Sequence, residues 1–264
     1  MGLVQHRSGT GTPIVLVHGV GSHWRVWEPI IGKLATEHDV IAVDLPGFGA
    51  CAPDGTVPSV AGLTTRVQVL FAELGLERPH VAGNSMGGAI ALELARRGSV
   101  ESATALSPVG FWTPRARQWT ILSVRATRAV ARRAPGLIHP VLALAPGRAV
   151  LFKQFFHKPW RLSPAAAIGD AIALAGSPAT PEALQHFRDY VFDAPHELRG
   201  VPMTIAWGDH DYLVPTRQRR RARRMLPWAR HVEMPSCGHV PFADDPELVA
   251  AVVLAGAREP ARAA

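Results

Sequence analysis

The chain has 264 residues, of which 47% are hydrophobic and 19% charged, a balance that supports a large core and excludes the disordered class. Its net charge of +7 comes from an excess of arginine, but no nucleic-acid-binding module accompanies these residues, so we expect no nucleic-acid partner. Two cysteines, Cys51 and Cys237, are too few for a disulfide framework. They predict buried, inert thiols in a cytoplasmic protein, although reactivity or a single disulfide stays open.

No segment of the sequence predicts insertion into a membrane. The N-terminus lacks a charged segment followed by an apolar run and a cleavage site, so we find no secretory signal. The longest apolar stretch, residues 137–152, is interrupted by Pro140, Pro146 and Arg148, which argues against a transmembrane helix. We therefore expect a soluble protein.

The first 106 residues alternate short β-branched runs with longer helical patterns, which is typical of βαβ units and a mostly parallel, buried sheet. The predicted strands cover residues 14–17, 40–43, 80–82 and 102–106, and the predicted helices cover 26–35, 60–74 and 86–97.

This alternation stops between about residues 109 and 198, where helical stretches are separated by prolines. Strands resume at 203–207 and 231–234, with an arginine-rich helix between them and a final helix over about 246–257. The arginine block at 217–224 is interpreted as a solvated helix face rather than a binding patch. The sequence thus predicts a core formed by residues 1–108 and 199–264, with a helical insertion at 109–198 covering one edge of the sheet.

The strongest chemical signal is Gly-Asn-Ser-Met-Gly at residues 83–87, between a predicted strand and a predicted helix. A sharp strand-to-helix turn of this kind exposes the serine oxygen, and glycines on both sides let neighbouring segments approach closely. Ser85 is therefore the candidate nucleophile. The helix N-terminus that follows it stabilises negative charge that develops there.

Serine needs a base, and the base needs a carboxylate to orient it. His239 follows Gly238 after the last predicted strand, at the sheet edge where ligand sites of open α/β sheets lie. Two carboxylates, Asp209 and Asp211, follow the preceding strand. We choose Asp211 as the orienting acid because it lies further into the loop, whereas Asp209 is suited to capping the turn. His210 between them has no second group at metal-ligand spacing, so we expect no metal and no cofactor.

An oxyanion formed at the serine needs two backbone donors. Met86, directly after Ser85, supplies one N–H, and the loop His-Gly-Val-Gly at residues 18–21 offers that of Val20 as the second.

Five motifs follow one another along the chain: HGVG at 18–21, DLPGFG at 44–49, GNSMGG at 83–88, WGDHDYLVP at 207–215 and CGHVPFADDPE at 237–247. Together they resemble the motifs of the α/β-hydrolase superfamily, and more narrowly its esterase, C–C-bond hydrolase and cofactor-free perhydrolase branches. The resemblance implies a mostly parallel central sheet flanked by helices, with a helical cap inserted after the sixth strand. It also implies nucleophile, acid and base at Ser85, Asp211 and His239, with oxyanion donors at Val20 and Met86.

The serine separates this chain from family relatives with aspartate at the same turn, the haloalkane dehalogenases and epoxide hydrolases. The leading hypothesis is hydrolysis of a small, hydrophobic carboxylic ester or lactone through an acyl-enzyme. Hydrolysis of a C–C bond in a diketone-type substrate is the alternative, and a non-catalytic ligand-binding protein is the second. We expect His18, Trp112 and Phe242 to line the substrate pocket. The other aromatic residues of the cap either line it as well or form the core of the cap.

Overall fold

A seven-stranded sheet lies at the centre of the computed structural model, which describes residues 2–193, 195–198 and 200–258. The strands are β1 (Val4–Ser8), β2 (Thr12–Val17), β3 (His38–Val43), β4 (His80–Asn84), β5 (Ala103–Leu106), β6 (Met203–Gly208) and β7 (Arg230–Met234). Their order in the sheet is β1-β3-β2-β4-β5-β6-β7, and every pair is parallel except β1 with β3. Of the predicted core, Met1, Arg199 and residues 259–264 lie outside the described residues, as does Ala194 of the predicted helical insertion.

Helices cover both faces of the sheet because its strands are apolar on both sides. The helices on the two faces are α1 (Glu28–Leu34), α2 (Val60–Glu73), α3 (Met86–Arg96) and, near the end of the described chain, α10 (Pro246–Arg258). In β2, Ile14 and Leu16 pack into the cluster formed with α1 and α10, whereas Val15 and Val17 pack into the cluster formed with α2 and α3. Successive side chains of a strand point to opposite faces, so one strand serves both clusters.

Among the described residues, five α-helices lie between β5 and β6, in a stretch that we call the helical segment, residues 109–198. Each helix has proline at its first or second position. Backbone N–H groups at these positions have no hydrogen-bond acceptor within the helix, so proline, which has no N–H, costs the helix no hydrogen bond there. Five of the prolines in this stretch are therefore helix starts, whereas Pro140 lies inside α5. The helices are α4 (Pro114–Arg133), α5 (Pro135–Ala143), α6 (Ala145–Leu151), α7 (Pro164–Gly176) and α8 (Thr180–His186), and α9 (Arg217–Met225) follows β6.

The helical segment follows the fifth strand of the described chain, so its predicted place after a sixth strand is wrong by one. The residues before β2 form a single strand, β1, which pairs only with β3 at the edge of the sheet. The described part of the chain contains no helix long and apolar enough to cross a bilayer.

Both cysteines are free and buried, as predicted. Burial raises the pKa of Cys51, and it raises the pKa of Cys237 to about 12. The thiolate is the reactive form, so both side chains are held in the unreactive protonated state.

Candidate active site

Ser85 occupies a strained turn between β4 and α3. Its φ of 58° and ψ of −113° lie in a region that non-glycine residues rarely adopt, and its N–H donates to Leu106 O over 2.9 Å. The turn closes only because of its glycines: a Cβ on Gly83 would overlap the carbonyl oxygen of Gly87, and one on Gly87 would overlap that of Val17. The geometry projects the Ser85 side chain beyond the carboxyl end of β4.

His239 and Asp211 form a buried pair beyond the carboxyl ends of β6 and β7. His239 Nδ1 lies 2.8 Å from Asp211 Oδ2, and both side chains are almost fully buried. The second carboxylate oxygen of Asp211 accepts the backbone N–H groups of Leu213 and Val214, over 3.0 and 2.7 Å. These bonds fix the carboxylate, which in turn orients the imidazole.

Asp209, the other candidate acid, contacts different groups. Its Oδ1 lies 2.6 Å from His210 Nδ1 and accepts the N–H of Cys237 over 3.3 Å. Burial raises its pKa, but the hydrogen bonds from His210 and from the backbone N–H groups of Ser236 and Cys237, with the charge of His210, together outweigh that effect and the net shift is downward. Asp209 therefore holds the turn, and Asp211 is the carboxylate bonded to His239. Within the described residues, no three His, Cys, Asp or Glu side chains form a metal-binding cluster.

The loop after β2 brings backbone next to Ser85. A Cβ on Gly19 would lie only 3.2 Å from the Cβ of Ser85, so glycine permits this approach. His18 beneath the loop accepts the N–H of Leu45 at Nε2, over 3.0 Å, which leaves Nδ1 as the donor to Gly19 O at 2.7 Å. Both bonds form only when the imidazole is neutral, and burial lowers the pKa of His18 to about 4, against an opposing effect of Asp44.

This arrangement orients the peptide between Gly19 and Val20. The oxygen of a trans peptide points opposite to its N–H, and the described chain has no cis peptide bond. Because His18 holds Gly19 O, it also sets the direction of the Val20 N–H. Met86 is the first residue of α3, so its N–H has no intrahelical acceptor and is available at the same end of the sheet.

Ser85, His239 and Val20 line one cavity of about 310 Å³. Side chains of the helical segment form much of its wall, and most of them are apolar. Polar groups are few, and Asp170, paired with His23 over 3.0 Å, supplies a carboxylate. The wall residues from the helical segment are Val124, Ala126, Thr127, Val130, Ala131, Ile138, Leu151, Phe152, Phe155, Phe156, Asp170, Ala171 and Leu174.

The profile of the alpha/beta hydrolase family matches residues 14–252, which is most of the chain. The chain belongs to the alpha/beta hydrolase family.

Relatives and solved structures agree with this assignment. The α/β-hydrolase is 28% identical to a pimeloyl-[acyl-carrier protein] methyl ester esterase of Nitrosomonas europaea, over 91% of this chain and 93% of the relative. It is 27% identical to an uncharacterized protein of Mycobacterium tuberculosis, over 90% of this chain and 73% of that protein. A thermophilic esterase from Thermogutta terrifontis has the same fold, with a TM-score of 0.73, 23% identity, and coverage of 95% and 90% of the two chains.

The three residues predicted to line the substrate pocket of this α/β-hydrolase are not among those that line its cavity. His18 is fully buried beneath the loop after β2. Trp112 is buried against Phe187 and donates its indole N–H to Tyr190 O over 2.9 Å, inside the helical segment. Phe242 packs on Trp27 with ring centroids 4.3 Å apart, in the cluster with α1 and α10. None of the three side chains lines this cavity, because all three pack inward.

The other aromatic residues named for the cap do not divide cleanly between the two expected roles. Phe152, Phe155 and Phe156 line the cavity and also contact one another, so they serve as both wall and core. Trp119 and Trp160 are half exposed and lie outside the cavity lining. The alternatives weighed from the sequence are thus not exclusive.

Two polar residues of the α/β-hydrolase that sequence reasoning missed hold the His239 loop. Asn84 Nδ2 donates to His239 O over 3.0 Å and to Leu106 O over 3.1 Å. Asp244 accepts the N–H groups of Gly238, His157 and Lys158, over 2.8, 2.9 and 2.6 Å. The only sequence signal was their position inside the motifs at 83–88 and 237–247.

The helical segment is therefore attached to the loops that carry His239 and Asp211. Val240 N–H donates to Phe155 O over 2.8 Å, beside the three bonds to Asp244. From α4, the Thr120 hydroxyl donates to Leu213 O over 2.8 Å, two residues from Asp211. The helical segment and the two loops that carry His239 and Asp211 consequently form one structural unit.

Proposed function

We propose that the protein is a serine hydrolase that cleaves a small, hydrophobic carboxylic ester or lactone through an acyl-enzyme. Residues 109–198 act as the cap over its site. One observation carries the proposal: Ser85, on its strained turn, and His239, bonded to Asp211, line the same largely apolar cavity.

The first half of the reaction acylates Ser85. His239 takes the hydroxyl proton as Ser85 Oγ attacks the ester carbonyl carbon, and Asp211 stabilises the imidazolium that forms. The N–H groups of Val20 and Met86 stabilise the negative oxygen of the tetrahedral intermediate. When the intermediate collapses, the C–O bond of the ester breaks and His239 gives its proton to the departing alkoxide oxygen.

The second half releases the acid. Water attacks the acyl-enzyme carbonyl while His239 removes one of its protons, and the same two N–H groups stabilise the second intermediate. Collapse returns the proton to Ser85 Oγ and frees the carboxylic acid. The balance requires only ester and water, so no cofactor takes part.

The cavity supports a small, apolar substrate. A volume of about 310 Å³ is at the low end of the range for small-molecule sites, and phenylalanine and aliphatic side chains dominate its wall. The full-length likeness to a relative named as a methyl ester esterase supports ester chemistry.

A fluorophosphonate probe tests the nucleophile directly. We expect the wild-type protein to be labelled, Ser85→Ala to be unlabelled, and Ser22→Ala to be labelled, since Ser22 lines the same cavity outside the proposed triad. Intact-mass measurement reads the adduct, and circular dichroism checks that each variant folds. A folded wild type that stays unlabelled would exclude the serine nucleophile and favour a non-catalytic ligand-binding protein.

Esters of graded acyl length then test the substrate class. We expect hydrolysis of short and medium p-nitrophenyl esters, with kcat/KM falling once the acyl chain exceeds the cavity. Turnover of a diketone-type substrate by a labelled enzyme that is inert toward esters and lactones would replace ester hydrolysis with C–C bond hydrolysis.

A further inference from the structure

The surface of the helical segment has an unusual charge distribution. Residues 102–169 contain ten lysines and arginines but no aspartate or glutamate, although the whole chain has 21 acidic residues. Within the described residues, none of these ten cations takes part in an ion pair. Residues 102–169 therefore carry positive charge that is not balanced by acidic residues in the same stretch, and such charge attracts anionic partners.

A contiguous part of this stretch is exposed and apolar. We call residues 134–150 the apolar tip; they form α5 and most of α6. Leu137, Leu144 and Val150 are 68%, 64% and 77% exposed, and the other exposed residues of the tip are glycine, alanine and proline. Apolar surface gathered in this way on a soluble fold marks an interaction site.

The one formally charged side chain of the tip is turned inward. Arg148 is buried, and its guanidinium donates to the carbonyl oxygens of Leu142 and Ala143 over 2.8 and 3.0 Å. Because Arg148 is turned inward, the exposed face of the tip carries no formal charge. Arg132 and Arg133, both exposed, stand immediately before it in the chain.

The apolar tip is continuous with the cavity. Ile138, within the tip, and Leu151, directly after it, both line the cavity beside Ser85. Val130 also lines it and is half exposed, so the cavity meets solvent on α4 close to the tip. An apolar surface thus extends from the outside of the helical segment toward the proposed nucleophile.

We propose that the apolar tip docks the protein onto a lipid surface with anionic headgroups. Leu137, Leu144 and Val150 enter the boundary between headgroups and acyl chains, while Arg132 and Arg133 contact the headgroups, which is the pattern of interfacial helices. This is peripheral binding, which needs no membrane-spanning helix. It goes beyond the proposed hydrolysis and does not depend on it.

The arginine-rich helix α9 does not offer an equivalent surface. Its exposed positions, including Arg217 and Arg224, are all arginines, no large apolar side chain of the helix is exposed, and Arg219 is paired with Glu233. Such a helix attracts anions but has nothing to insert between lipids. It supplies the matched charge control.

Vesicle sedimentation tests the proposal with the full chain. We expect the protein to sediment with phosphatidylcholine vesicles that contain phosphatidylglycerol, and not with phosphatidylcholine alone. The triple variant Leu137→Ser, Leu144→Ser, Val150→Ser should lose at least about tenfold in partitioning. Arg132→Gln with Arg133→Gln should lose about fivefold per arginine, and added salt should weaken wild-type binding.

Matched variants isolate the tip. Val57→Ser with Val69→Ser removes apolar side chains that are 49% and 46% exposed and lie outside the helical segment; we call this pair the core variant. Arg217→Gln with Arg224→Gln removes charge from α9. Both should sediment like wild type. Thermal melting of the tip variant should match wild type, and its hydrolysis of a water-soluble ester should be unchanged, because none of its three residues lines the cavity.

Three outcomes would overturn lipid docking. The first is no sedimentation of wild type with either vesicle, and the second is equal loss in the tip and core variants. The third is a wild-type dimer in sedimentation velocity that the tip variant converts to monomer, which would make the tip an interface between copies. Failure of the fluorophosphonate test leaves all three readouts intact, so the two proposals fail separately.

Discussion

Asn84 donates a hydrogen bond to the backbone carbonyl oxygen of His239 over 3.0 Å, joining the residue before Ser85 to the residue that carries the imidazole. The other hydrogen of the same amide goes to Leu106 O. One side chain thus holds the end of β4, the end of β5 and the histidine loop in register. Ser85 and His239 come from distant parts of the chain, and this amide sets where one stands relative to the other.

Replacing Asn84 with alanine should lower kcat by about 10- to 100-fold, because small misplacements of a catalytic base are costly. KM should change less, since Asn84 is only one residue of the cavity wall and the apolar side chains that dominate the wall are retained. Steady-state kinetics on a p-nitrophenyl ester would measure both. The control is Gln68→Ala, which deletes an amide that bonds Ser99 away from the cavity. An unchanged kcat in Asn84→Ala would show that the loop holds His239 without this bond.

The two neighbouring aspartates should differ sharply in their effect on rate. Asp211→Asn should reduce kcat by about 10⁴-fold, as loss of the orienting carboxylate does in other triads, because His239 then loses its correct tautomer. Asp209→Asn should cost less than about tenfold, since its contacts hold a turn and not the base. Comparable losses in the two variants would mean that the acid is misassigned.

The neutral imidazole of His18 should make stability depend on pH. Burial lowers its folded-state pKa from 6.5 to about 4, so between these values the unfolded chain binds a proton that the folded chain does not. The free energy of unfolding should therefore fall as pH decreases through this window. Urea denaturation from pH 7 to pH 4 would measure the slope.

His18→Gln is the informative variant for that slope. Glutamine can donate to Gly19 O and accept from Leu45 N–H without titrating, so the slope should become shallower while the fold persists. His196→Gln, at an exposed position, should leave the slope as in wild type. If His18→Gln retains the full wild-type slope, other groups account for the acid sensitivity.

Asp244 should matter for both stability and rate. Asp244→Ala leaves three backbone N–H groups without their acceptor and should lower the free energy of unfolding by at least about 2 kcal/mol. Because Gly238 is one of those donors, kcat should fall as well. Asp245→Ala, which removes only an acceptor for Leu248 N–H, should cost about 1 kcal/mol with kcat unchanged. Equal kcat in the two variants would argue against coupling through Asp244.

The sequence predicted the parts of this protein that depend on local pattern. Apolar runs located the parallel strands, and Gly83 and Gly87 predicted the turn at Ser85, because both follow from short-range sterics. Strand β1 was missed because Val-Gln-His-Arg-Ser lacks an apolar run, and it forms by pairing with the distant β3. The sequence pattern thus located four of the five strands that precede the helical segment in the described chain.

The errors at the site arose where side-chain direction decides the outcome. Trp112 and Phe242 lie in or near the right segments but face packed clusters, and the sequence carries no sign of that orientation. Asn84 and Asp244 act on backbone groups of other segments, which become neighbours only when the chain folds. The order of the motifs predicted where the site loops lie in the chain, but it did not predict the contacts between those loops.

The left-handed backbone at Ser85 places thermal stability in opposition to the proposed nucleophile at a single position. Glycine is the one residue that adopts this conformation freely, and it has no hydroxyl group. A library of variants screened only for resistance to heat would therefore enrich glycine at residue 85, which removes the proposed nucleophile. Stabilising this scaffold without losing its chemistry requires substitutions elsewhere, with residue 85 held constant during the screen.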